Sequence, residues 1–117
     1  GPKPALIQPR LAAIEAMTDS CGLIQHSVFG VPDRHHGYCV DDNARGLILM
    51  VRLAQSGMTT KQVDSLSTIY AAFVQHAWNP DTRRFRNFMS YERAWLEPVG
   101  SDDSFGRTLR HSSGETS

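Results

Sequence analysis

Cysteine is scarce in this chain. Two in 117 residues, Cys21 and Cys39, exclude a disulfide-built scaffold. They are expected to be reduced thiols packed as small hydrophobes in a cytoplasmic protein. Long apolar runs are missing too. None approaches the roughly 18 residues that span a bilayer, and Gly1-Pro2-Lys3-Pro4 carries no hydrophobic signal core. No membrane partner is therefore expected. Net charge is absent, with twelve acidic side chains balancing twelve basic ones, so bulk electrostatics recruit neither nucleic acid nor an anionic membrane. Lysine is nearly absent as well. Ten of the twelve bases are arginine, which favours planar pairing with carboxylates or with an anionic ligand. There is no low-complexity segment and no residue-level repeat. Length allows one domain or a piece of one. Residues 1–117 are read as a single, incomplete domain with a polar tail at 110–117 that frays.

What is present is helical periodicity separated by chemically rich loops. A first helix is expected from about Arg10 to Asp19, with Pro9 in its first turn, Leu11, Ile14 and Met17 at helical spacing, and Gly22 ending it. Residues 23–40 read as a loop with short extended pieces near Leu23-Ile24 and Ser27-Val28-Phe29, broken by Gly30, Pro32 and Gly37. A second helix is expected to start with Asp41 or Asp42 as N-cap and end near Gln55, with Gly57 beyond. Its residues 47–51 are apolar on every face, so other elements should surround it. With so few helices to do this, a homo-oligomer is expected. Thr59-Thr60-Lys61-Gln62 opens a third helix. The stripe Val63, Leu66, Ile69, Tyr70, Phe73, Val74 and Ala77 carries it to about Trp78. Asn79-Pro80-Asp81-Thr82 is a turn. Residues 83–95 alternate aromatic and basic side chains; a short strand is permitted, but a structured loop is the reading. Ser101-Asp102-Asp103-Ser104 looks like a fourth helix start.

Chemistry concentrates at His35-His36-Gly37-Tyr38-Cys39-Val40-Asp41-Asp42-Asn43-Ala44-Arg45, where a loop delivers the chain into a helix N-terminus. Side chains there are both held and accessible. A paired Asp at a helix start recurs at 102–103.

The motifs Gly30-Val31-Pro32-Asp33-Arg34, His36-Gly37-Tyr38-Cys39, Asp41-Asp42-Asn43-Ala44-Arg45, Phe85-Arg86-Asn87-Phe88-Met89 and Gly100-Ser101-Asp102-Asp103-Ser104-Phe105-Gly106-Arg107 together resemble a bacterial family of six-hairpin glycosidase-like proteins. That family has the (α/α)6-toroid fold and is often found fused to or beside glycosyltransferases. The resemblance covers nearly all of residues 10–109. It implies an all-α chain, a helical-hairpin fragment of an (α/α)6 toroid with long loops, and a carbohydrate-directed role with a glycosyltransferase as possible neighbour. A whole toroid needs six hairpins, so this chain looks like the opening segment. After Gly106-Arg107-Thr108-Leu109 the family pattern continues as an apolar helix with a Trp, whereas here Arg110-His111-Ser112-Ser113 follows.

Glycoside cleavage needs two carboxyl groups flanking the scissile bond. Asp41 or Asp42 with Asp102 or Asp103 would supply them as base or cation stabiliser, since a helix N-terminus favours the ionised form. Glu92 or Glu97, if buried, would suit the acid. Expected substrate contacts are Arg34, His36, Tyr38, Asn43, Arg45, Asn87 and Arg107, with Phe85, Phe88, Tyr91 and Trp95 as aromatic platforms. Each has a plainer role: one Asp caps the second helix while Arg45 pairs with the other, Ser101 caps the fourth helix, and the aromatics of 85–95 fill the core. His35, His36, Cys39 and Asp41 offer N, S and O donors, but the spacing matches no metal motif and adjacent histidines rarely converge on one ion. Neither a metal nor a cofactor is expected. In the arginine-rich stretch 83–93, Glu92 and the neutral balance dilute any basic patch, so no nucleic-acid partner is expected. The expected function is acting on or binding a glycan; the alternative is a non-catalytic helical sugar-binding or interaction module.

Overall fold

The computed structural model describes residues 4–25, 27–28, 31–32 and 37–97. In chain order its elements are α1 (Pro4–Ala16), β1 (Ser27–Val28), β2 (Val31–Pro32), β3 (Tyr38–Cys39), α2 (Val40–Gln55), α3 (Lys61–Ala77), β4 (Trp78–Asn79), β5 (Arg84–Phe85) and β6 (Phe88–Met89). The strands pair antiparallel as β1 with β2, β3 with β6 and β4 with β5. The all-α expectation, a helical-hairpin fragment of an (α/α)6 toroid, is corrected by these ladders: the described residues form a mixed helix-and-strand fold.

The physical reason lies after α3. Asn79-Pro80-Asp81 cannot continue a helix, and Asn79 Oδ1 accepts the Asp81 N–H at 3.0 Å to set the turn. The chain reverses and pairs Trp78 with Phe85 and Asn79 with Arg84. It then returns to the loop before α2, placing Tyr38 opposite Met89 and Cys39 opposite Phe88. Bridges between Ile24 and Tyr38 and between Met89 and Trp95 widen that ladder on both sides. The near-alternation of 83–95 is thus strand chemistry, and the two neighbouring loops complete each other.

The helices also differ from expectation at their starts. α1 begins at Pro4 and carries Pro9 inside it. The N-cap of α2 is Cys39, with no side-chain capping bond, and Asp41 and Asp42 sit in the first turn. There they face the positive end of the helix dipole. α3 is capped by Thr60, whose hydroxyl accepts the Val63 N–H at 3.2 Å.

Two apolar clusters result. Leu11, Met50, Leu53, Val63, Leu66 and Tyr70 join the three helices. Ile24, Tyr38, Val40, Phe73, Ala77 and Met89 pack the small ladder against α3. The expected enclosure of residues 47–51 is incomplete: Met50 is buried, while Leu49 and Val51 are exposed. Among the described residues no helix is long and apolar enough to cross a membrane. The expected fourth helix and the tail lie outside the described residues.

Candidate functional site

Residues 37–40, which lead into α2, are held by backbone and side-chain bonds. Gly37 has φ +69, and a Cβ there would stand 2.3 Å from the Met89 carbonyl oxygen, so glycine is required twice over. Tyr38 is fully buried, and its hydroxyl donates to Asp19 Oδ2. The other oxygen of Asp19 accepts the N–H groups of Cys21 (2.8 Å) and Gly22 (3.1 Å). Burial, with the Asp19 bond second, pushes the Tyr38 hydroxyl well above the usual phenol range. Burial likewise raises both thiols, Cys21 and Cys39, which makes them sluggish nucleophiles.

Asn43 is a clamp. Fully buried, it accepts the Leu23 N–H at 2.8 Å and donates to the carbonyls of Leu23 (3.3 Å) and Cys39 (2.9 Å). Its amide therefore behaves as a third strand segment between two stretches of chain. Arg45 Nε meets Asp41 Oδ2 at 3.1 Å one helical turn away, with the arginine side chain 66% exposed. An exposed pair of this kind adds little stability.

Asp42 has a different setting. With Gln25, Arg45 and Gly46 it edges a groove of about 460 Å³ between α1 and α2, whose walls include Ile14, Met17, Leu23, Ile24 and Leu49. Among the described residues Asp42 is the one carboxylate lining this groove. Asn87 stands apart from these wall residues: its carbonyl accepts the Val40 N–H at 2.8 Å, and its own N–H donates to Glu97 Oε1 at 2.7 Å.

Of the residues singled out from the sequence, Asp41, Asp42, Asn43 and Arg45 come together at the start of α2, with Tyr38 beneath. Arg34, His36, Asp102, Asp103 and Arg107 lie outside the described residues, as does His35. Glu92 is exposed, whereas Glu97 is half-buried with its carboxylate engaged by two backbone N–H groups. Among the described residues no three His, Cys, Asp or Glu side chains are grouped to hold a metal ion. Asp19 and Gln25 were missed by sequence reasoning. Asp19-Ser20-Cys21-Gly22 carries an Asx-turn signal that would have found the first. Nothing local marks Gln25, because its place depends on a bond to Gly37 across the loop, at 2.9 Å.

No family model, no curated protein and no solved structure matches this chain.

Proposed function

We propose that the chain binds a saccharide in the groove between α1 and α2, with Asp42, Gln25 and Arg45 as the polar contacts. The observation that carries this reading is an apolar trough with a carboxylate, an amide and a guanidinium gathered along it. A pyranose ring has the matching faces: C–H groups for the Ile14, Met17 and Leu49 surface, and hydroxyls for directional donors and acceptors. The motif resemblance drawn from the sequence points to the same ligand class. Reduced, buried-edge thiols at Cys21 and Cys39 suit a cytoplasmic setting.

Calorimetric titration with a panel of neutral mono- and oligosaccharides tests the reading. Asp42→Ala and Gln25→Ala should each weaken the best ligand about tenfold or more, the loss expected for one charge-assisted or buried hydrogen bond. Unchanged affinity in variants whose circular dichroism remains native would overturn it.

A further inference from the structure

The walls of the groove between α1 and α2 are more apolar than a plain sugar ring requires. Six of its ten lining residues are Ala13, Ile14, Met17, Leu23, Ile24 and Leu49. Among the described residues none that lines it is aromatic. A flat aromatic face matches the flat C–H face of a pyranose, whereas branched aliphatic and thioether side chains make an uneven surface that closes best around methyl groups. Leu49 is 37% exposed, so apolar surface on this wall is still in contact with water and gains from being covered.

The polar groups narrow the ligand further. The side-chain amide of Gln25 carries two donors and an acceptor. It is half-buried and has no hydrogen-bond partner among the described residues. The Asp42 carboxylate offers acceptors. Arg45 Nε is held by Asp41 Oδ2 at 3.1 Å, so that guanidinium is matched within its own helix. Gln25 reaches the groove from the segment after α1, and Asp42 from α2. A secondary trans amide projects its N–H and its C=O in opposite directions, so an acceptor on one side and a donor on the other read it together. A sugar bearing only hydroxyls would turn polar groups against the aliphatic wall, at a desolvation cost. A bare alkyl chain would cover the wall but leave the Gln25 amide unsatisfied. An acetamido group meets both demands, because it joins a methyl to a trans amide.

We infer that the saccharide bound in this groove is an N-acetylated amino sugar. Its methyl lies against Ile14, Met17 and Leu49, its amide N–H donates to Asp42, and its carbonyl accepts from the Gln25 amide. The inference rests on the reading of the groove as a sugar site and specifies which sugar.

The test is calorimetric titration of the full chain with four probes: triacetylchitotriose, its fully deacetylated counterpart, cellotriose and octyl glucoside. The first three share one backbone and differ at a single ring substituent, which is acetamido, amino or hydroxyl. The acetylated trimer should bind about tenfold or more tighter than cellotriose. Leu49→Ser should remove most of that advantage while leaving cellotriose nearly as before. Should that variant lose its fold, Ala13→Glu, at an exposed position on the α1 wall, should do the same. Cellotriose binding as tightly as the acetylated trimer would overturn the acetamido assignment and leave the groove a sugar site. Equal or tighter binding of the deacetylated trimer would overturn it in favour of a charge contact, and of octyl glucoside in favour of an alkyl chain. An acetyl preference unchanged in both wall variants would also overturn it. Failure of all three trimers to bind would remove the sugar reading of the groove together with this one.

Discussion

Tyr38 shows how much one side chain carries. Its ring is packed between Phe73 at 5.7 Å and Tyr91 at 6.3 Å, and its hydroxyl finishes the coordination of Asp19. Tyr38→Phe keeps the ring and removes the bond, so a loss of about 1–2 kcal/mol is expected in urea denaturation at neutral pH. The pH dependence has a definite sign. Burial favours the neutral phenols of Tyr38 and Tyr70, raising both above the ordinary value of 10.0. Their contribution is therefore complete below about pH 10 and declines as pH rises beyond it, where the unfolded chain ionises first. Urea midpoints followed from neutral pH to about pH 11 should fall less steeply for Tyr38→Phe than for the parent; identical slopes would refute the link. At this scale the sequence was partly legible. The Asp41–Arg45 pair follows from i, i+4 spacing. The clamp made by Asn43 does not, because its partner Leu23 lies twenty residues away and nothing local announces the meeting.

The elements divide along the same line. α3 was readable because its stripe of buried side chains repeats at helical spacing and Thr60 supplies the cap. Removing that cap in Thr60→Ala should cost about 1 kcal/mol in thermal or chemical denaturation. Gly37→Ala should be far worse. It asks a Cβ to occupy a left-handed position against the Met89 carbonyl, where β3 meets β6. Loss of the cooperative transition is the expected result, and a native-like melting curve would show that the ladder can shift. The start of α1 was misplaced because Pro9, a good first-turn residue, stands well inside the helix. β1 falls on the extended piece expected near Ser27-Val28-Phe29, whereas the ladder strands β3 to β6 escape a sequence reading because each is two residues long. Their pairing is decided by partners remote in sequence, such as Cys39 and Phe88, rather than by a local period.

For the molecule as a whole, the absence of net charge returns as a solution property. The sequence isoelectric point is about 7.1, and Leu49, Val51, Trp78, Phe88 and Leu96 are exposed. Near neutral pH nothing in the overall charge keeps copies apart. Moving the pH below the isoelectric point gives the chain a net positive charge. Light scattering at tens of micromolar should therefore show the strongest self-association near pH 7 and a clear decrease at about pH 6; no change with pH would refute a charge origin. The misreading of the fold also belongs to this scale. Helical periodicity was visible, but the joining of the 37–39 and 88–89 segments was not, and that joining decides the class. The Asn43 amide has one more consequence. It grips Leu23 on one side and Cys39 on the other, and the Gln25 N–H to Gly37 carbonyl bond runs alongside. A single amide thus serves as the clasp by which two remote stretches of chain, 23–25 and 37–39, keep their mutual register.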